Sequence, residues 1–304
     1  MSSVTSSFDY ASNAGKILFK DLTLSSTGQV FAGGIIGGWT VSGVQTIDHC
    51  TNSGCIECDS SDYNDFNVSS TATPLWSCFG GISGMGASDS NEALESGWFT
   101  ISGKTFTNCS NSGYIWLYGK MRCCIGGVVA YSENNPNGCE NTGYIEYRKS
   151  GGVGKTENPT NYHRQIVGGV VGLCTASSLT NLKFSAKKLY TNGSSPFAYT
   201  GGIAGLVLQD TSFSNCKVGA TGTGDYDGFR AAGSADGTVA LFCRSGTTAR
   251  SYTFTNCKVA TGSHIWYSTG AKTEVTNNNI TIRWCTGDNG SLSSGSLPTV
   301  GSID

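Results

Sequence analysis

The sequence predicts an all-β chain folded as a right-handed parallel β-solenoid (β-helix) with long loops between coils. Three observations predict it: two short motifs that alternate along most of the chain, strand-like alternation without helical periodicity, and a composition poor in charge and rich in glycine. Of 304 residues, 43 are glycine and 5 proline, and 13% are charged where an ordinary soluble domain has about 25%. The glycines keep no period of three, which excludes collagen. The 38% of hydrophobic and 11% of aromatic residues suffice to bury a core, which excludes wholesale disorder.

The first motif is Gly-Gly-(Ile/Val)-x-(Gly/Ala), beginning at Gly33, Gly80, Gly126, Gly168 and Gly201, at spacings of 47, 46, 42 and 33 residues, with Gly237 to Ala240 as a degraded sixth copy. The second is Cys-x-Asn-x-Gly-x-Ile, at Cys50 to Ile56, Cys109 to Ile115 and Cys139 to Ile145, with a cysteine-less copy at Asn13, Gly15 and Ile17. Later copies keep the approach and lose the exit: Phe106-Thr107-Asn108-Cys109 recurs as Phe213 to Cys216 and Phe254 to Cys257. Segments such as Tyr114 to Tyr118 and Thr276 to Trp284 alternate as strands do, and only Ser90 to Ser96 would form a turn or two of helix. Paired glycines before a β-branched residue, and Asn-x-Gly, each suit a corner needing positive φ or close approach to a neighbouring coil. Stacked in register, Cys50, Cys109, Cys139, Cys216 and Cys257 form an internal ladder of small apolar residues, and the asparagines ladder at the turns. Spacing alone leaves open whether one repeat makes one coil or two. The solenoid is expected over residues 13–285, between an N-terminal tail, 1–12, and a Gly/Ser-rich C-terminal tail, 286–304.

Gly-Gly-Val-Val-Gly at Gly168 to Gly172 and Asn-Cys-x-Asn-x-Gly-x-Ile at Asn108 to Ile115 resemble the GLUG repeat of bacterial surface proteins, whose pattern runs G-G-[LI]-V-G, then N-C-x-N-T-G-x-[VI]. The similarity covers roughly Asn13 to Val259, with spacers longer and more variable than the family's. The resemblance implies extracellular presentation, since such repeats occur in large adhesin-like proteins and beside immunoglobulin-cleaving peptidases. The first residues, Met1 to Ser7, show neither the basic nor the apolar region of a secretory leader.

Other chemistry is weakly advertised. A formal charge of −2 gives no basic field for nucleic acid, and apolar runs such as Gly168 to Cys174 are too short to span a bilayer. Lys149 to Thr156 echoes a phosphate-binding loop, but its first glycine position holds Lys149, and Glu157-Asn158-Pro159 breaks the helix such a loop requires. Cys55 and Cys58 near His49 and Cys50 lack the second ligand pair of a zinc site. Thirteen cysteines, with Cys123 and Cys124 vicinal, point to buried thiols, bridges being confined to Cys55, Cys58, Cys78, Cys123 and Cys124. Asp59, Asp62 and Asp65 read as a solvated loop, and His49, His163 and His264 lie far apart, so no catalytic constellation and no cofactor or metal is expected. Of five N-x-[ST] sequons (Asn67, Asn108, Asn192, Asn279 and Asn289), Asn108 is expected inside the core.

The expected function is therefore that of a non-enzymatic extracellular surface protein, adhesive or structural, with a carbohydrate-binding or polysaccharide-degrading β-helix as the alternative. Aligned on the inward Ile, the flanking residues point outward and give the pairs Cys55/Glu57, Tyr114/Trp116, Tyr144/Glu146 and His264/Trp266. Tyr114, Trp116, Tyr144, Glu146, His264 and Trp266 form either a platform for a surface glycan or protein, or an outer core under folded-back loops. Open solenoid ends without a capping helix make other copies of the chain the second class of partner, head-to-tail or edge-to-edge. Ice binding would need regular Thr-x-Thr ranks, of which Thr105/Thr107 and Thr253/Thr255 are fragments.

Overall fold

The computed structural model describes residues 6–20, 30–38, 45–59, 76–84, 104–118, 123–148, 165–191, 198–231, 239–245, 250–266, 272–277, 285–286, 291–292 and 297–304. Outside them fall Ser90 to Ser96, the Lys149 to Thr156 loop, Asp62, Asp65, His163, Gly237, most of Thr276 to Trp284, and the sequons at Asn67, Asn192, Asn279 and Asn289. The described residues are all-β, with parallel sheets and no helix, hence no helix long and apolar enough to cross a membrane. This arrangement is compatible with a β-solenoid.

Successive repeats add strands to five rows. Row A holds Ser6–Asp9, Gln45–Asp48 and Lys104–Thr107, then Ser178–Thr180, Thr211–Ser214, Ser251–Thr255 and Ser291–Leu292, the two groups joined by Asn137, which bridges Thr107 and Thr180. Row B has eight strands, from Ser12–Asn13 to Thr299–Gly301. Row C runs Ile17–Lys20, Ile56–Asp59, Ile115–Tyr118, Ile145–Arg148, Lys188–Thr191, Gly228–Ala231 and His264–Trp266, and ends on the antiparallel strand Lys272–Glu274. Rows D and E take the strands on either side of the Gly-Gly motif, such as Cys123–Gly126 and Val129–Ser132. Gly33, Gly80, Gly126, Gly168 and Gly201 pair in one unbroken register, so one motif copy corresponds to one layer. The sixth layer differs from expectation: Val239 and Ala240 pair with Thr200 and Gly201, so the motif position falls on Ala240 to Cys243 and not on Gly237. Paired strands also lie beyond residues 13–285, Ser6–Asp9 against Gln45–Asp48 and Thr299–Gly301 against Lys258–Ala260.

Strand alternation selects the core. In Ile115–Tyr118, Ile115 and Leu117 are buried and Trp116 and Tyr118 half-buried; in Lys104–Thr107, Phe106 is fully buried. The inward columns Ile47, Phe106 and Leu179, Phe213, Phe254 of row A, and Ile56, Ile115, Ile145, Leu189, Phe229, Ile265 of row C, join one cluster. Each such side chain contributes about 1.5–3 kcal/mol of burial. A second cluster lies between rows D and E, where Trp76, Cys78, Cys124, Ile166 and Tyr199 pack with Ala130, Leu173 and Leu206. An outer core exists, therefore, at the Gly-Gly turn between rows D and E. The vicinal pair divides between the two clusters: Cys123 faces the main core and Cys124 the outer one.

The corners differ from the expected ones. The residue before the cysteine position, at the end of row A, is left-handed in each of the first seven repeats: Tyr10, His49, Asn108, Gly138, Asn181, Asn215 and Asn256, with φ from 49° to 66°. Asparagine tolerates this region better than other non-glycine residues, which explains the Asn-Cys dipeptide. Asn181, Asn215 and Asn256 chain their amides along this exposed edge. Asn108 is likewise exposed, correcting its expected interior position: the left-handed corner turns its side chain out, beside Asp48 Oδ1 at 3.3 Å. The motif glycines are not left-handed. They are needed for close approach: a Cβ on Gly126 would meet Val129 O at 1.8 Å, and one on Gly113 would meet Gly54 O at 1.8 Å.

Cys50, Cys109, Cys139, Cys216 and Cys257 are all buried at one register position, which Leu182 occupies in the fifth repeat. Each thiol caps backbone carbonyls at the corner, as where Cys109 Sγ donates to Ile47 O and Thr107 O, both at 3.3 Å. The twelve cysteines whose side chains are described are unbridged, including Cys55, Cys58, Cys78, Cys123 and Cys124. Burial pushes the Cys123, Cys124 and Cys174 thiols up, Cys174 to about 12.

Candidate binding surface

The outer side of row C carries two register columns. The first reads Lys16, Cys55, Tyr114, Tyr144, Lys188, Gly228, His264; the second reads Leu18, Glu57, Trp116, Glu146, Tyr190, Arg230, Trp266, with Lys272 on the antiparallel edge. All six expected platform residues point to this side, but not as one patch. Tyr114, Trp116, Tyr144 and Glu146 occupy the third and fourth layers, His264 and Trp266 the seventh. The layers between contribute Lys188 with Tyr190, and Gly228 with Arg230.

In the acidic half, Tyr114 and Tyr144 stack at 4.9 Å and 5°, and Trp116 stacks with Tyr118 at 6.2 Å. The Tyr114 hydroxyl donates to Glu57 Oε1, and Lys16 pairs with the same carboxylate. Burial pushes the Glu57 carboxyl up, but Lys16 and Tyr114 outweigh it and hold the group below its ordinary value. The same hydrogen bond, together with burial, raises the Tyr114 phenol. Glu146 departs from its expected exposure. It points outward but is 3% exposed, covered by Arg148 and Lys188, which both pair with it. Glu57 and Glu146 are thus each paired with cations, Glu57 with Lys16 and Glu146 with Arg148 and Lys188.

The other half is a cation–aromatic lattice. The Arg230 guanidinium lies 4.8 Å from the Tyr226 ring, 4.8 Å from Trp266 and 5.5 Å from Tyr190. Lys187 Nζ sits 4.5 Å from Tyr144, and Lys272 Nζ 5.6 Å from Trp266. Trp266 Nε1 donates to Asp227 O at 2.7 Å, which fixes the indole. Tyr190 is buried, and burial raises its phenol against the opposing pull of Arg230 and Arg148; Tyr226 is 53% exposed. Tyr190, Tyr226 and Arg230 escaped the sequence reading because their layers lack the Asn-x-Gly-x-Ile exit. Aligning Leu189 and Phe229 with the inward isoleucines would have found Tyr190 and Arg230.

Elsewhere, Cys55 is half-buried on the row C face while Cys50 and Cys58 point into the core, and no group of three or more metal-ligating residues occurs among the described residues. The outer side of row A does align the threonine fragments: Thr105/Thr107 share columns with Thr46/Asp48, and Thr253/Thr255 with Ser212/Ser214 and Ser178/Thr180. Asp9, Asp48 and Asn137 interrupt the second column, which makes this a mixed polar face. No protein-family model, curated protein or solved structure matches the chain.

Proposed function

We propose that the chain is a right-handed parallel β-solenoid of GLUG-like repeats, one coil per repeat, serving as a non-enzymatic extracellular surface module that binds through the outer side of row C. The carrying observation is that each layer from the third to the seventh places an aromatic ring or a cation on that side: Tyr114, Tyr144, Tyr190, Arg230 and Trp266 in turn. Rungs about 4.8 Å apart present these groups as a straight track, suited to an extended polymer on a cell or matrix surface. The experiment is binding of the purified chain to a glycan array and to immobilised cell-surface protein, with Trp116→Ala and Trp266→Ala. Binding that falls at least severalfold in both variants supports the platform; binding unchanged in both removes it.

A second reading, end-on assembly with another copy, is favoured by the first repeat. Its inward Phe8, which pairs with the fully buried Ile47, is 40% exposed, and Tyr10 is 75% exposed. Light scattering and negative-stain microscopy over a concentration series decide it. Filaments support assembly, and a monomer at every concentration rejects it.

A further inference from the structure

We propose that the Arg230 cluster is a recognition site for a carboxylate-bearing sugar of an acidic polysaccharide lying along row C; this rests on the platform reading above and names its ligand class. Arginine is normally bound through its N–H edge to a carboxylate or carbonyl. Arg230 is instead set among aromatic rings. Tyr190, Tyr226 and Trp266 surround the guanidinium, and none of its five N–H donors finds an acceptor among the described residues. A guanidinium already oriented by three rings loses little freedom on binding and offers a ready fork for a planar carboxylate.

The neighbours extend the charge pattern. Lys187 and Lys272, each on an aromatic ring, also have no carboxylate partner among the described residues. Glu146 is occupied by Arg148 and Lys188, and Asp227 accepts the Gly224 N–H at 3.0 Å. Asp225 is exposed in the same turn, and Glu274 lies on the edge strand opposite His264. Lys187, Arg230 and Lys272 thus lie along the row as cations open to an anionic polymer. The rings choose a sugar over an acidic peptide: Tyr226 is half-exposed, a flat surface that a pyranose C–H face covers and a glutamate side chain does not.

The test uses the full chain, with polygalacturonate as the acidic glycan, dextran as the neutral one and poly-glutamate as the acidic peptide, measured by calorimetry at low and high salt. Polygalacturonate is expected to bind and dextran not; Arg230→Ala should weaken binding about tenfold or more, and Arg230→Lys should fail to restore it, because a lysine cannot form the fork. Tyr226→Ala removes an exposed ring with little threat to folding, and should weaken polygalacturonate binding while leaving the unfolding midpoint unchanged. Equal binding of dextran and polygalacturonate, indifferent to Arg230, overturns the acidic-sugar assignment and leaves the platform standing. Poly-glutamate binding as tightly with the same Arg230 dependence overturns the sugar in favour of a peptide. No binding to any glycan or protein surface overturns both the assignment and the platform.

Discussion

The first four repeats and the last four solve the same inner corner in opposite ways. At one register position of row B the column reads Asn13, Asn52, Asn111, Asn141, then Phe184, Val218, Val259, Val300. In the first half each asparagine amide donates to the next one's oxygen: Asn13 to Asn52 at 2.8 Å, Asn52 to Asn111 at 2.7 Å, Asn111 to Asn141 at 2.8 Å. Each also donates to the carbonyl of the glycine two residues on, as Asn111 does to Gly113 O at 2.7 Å. Where the next layer offers Phe184, Asn141 ends the chain on Gly169 O at 2.8 Å. A buried amide must find all its partners, so the ladder fixes both the exit length and its glycine. The apolar half has no such demand, and its exits vary: four residues separate Phe184 from Leu189, ten separate Val218 from Phe229 and five separate Val259 from Ile265, against three in the polar half.

The largest effect is expected where the ladder's geometry leaves no room. Gly113→Ala drives a Cβ into Gly54 O at 1.8 Å and should destabilise by roughly 4 kcal/mol or more, because backbone is what would have to move. Gly301→Ala, with nothing within 4 Å of its Cβ, should stay within about 0.5 kcal/mol. Equal denaturation midpoints for the two variants would show that the polar corner is not closely packed. Exchanging the two chemistries comes next. Asn111→Val strands the Asn52 amide and the Gly113 carbonyl, and Val218→Asn buries an amide without partners. Each should cost about 2–3 kcal/mol, and an Asn111→Val variant as stable as the parent would make the ladder dispensable.

The contrast explains what the sequence reveals of this molecule. Glycine pairs and Cys-x-Asn-x-Gly-x-Ile are legible because a hydrogen-bonded or tightly packed position admits few residue types, so the motif repeats as letters. Phe184, Val218 and Val259 fill the same position by volume alone, which many residues satisfy, and the repeat fades from view although the layer persists. The same loss hid half of the candidate surface: Tyr114 and Tyr144 follow the legible exit, whereas Tyr190 and Arg230 follow exits of other lengths. The left-handed corner was invisible for a different reason. Tyr10 and His49 take the conformation that Asn108, Asn181, Asn215 and Asn256 take, and no composition rule assigns positive φ to a tyrosine.

A smaller effect concerns the thiols, which run through both halves at one position and so test whether both are equally closed. Among the twelve cysteines whose side chains are described, Cys55 alone is half-buried and the rest are buried. Alkylation of the native protein near pH 8, read by mass spectrometry, should label Cys55 first and spare Cys109 and Cys216 until denaturant is added. Labelling of Cys216 as fast as Cys55 would mean that the apolar half opens where the polar half does not.

The smallest effect separates the inside of the polar half from its outside. Amides carry no charge, so the Asn13 to Asn141 ladder contributes the same at every pH, whereas the Lys16–Glu57–Tyr114 group on row C of the same half titrates. Glu57 is held below the 4.5 of an ordinary glutamate. A depressed carboxyl stabilises the fold fully above its unfolded pKa, and the benefit disappears as pH falls through the folded value. Glu57→Gln should therefore be less stable than the parent at neutral pH, by a small margin because Lys16 is solvated, and the two curves should converge in acid below the ordinary carboxylate range. Asn111→Val should show the reverse pattern, a large deficit that does not change with pH. A Glu57→Gln deficit that stays constant down to about pH 3 would mean the carboxylate acts as a hydrogen-bond acceptor alone, and the ionic account of this surface would give way to the same neutral chemistry that builds the ladder beneath it.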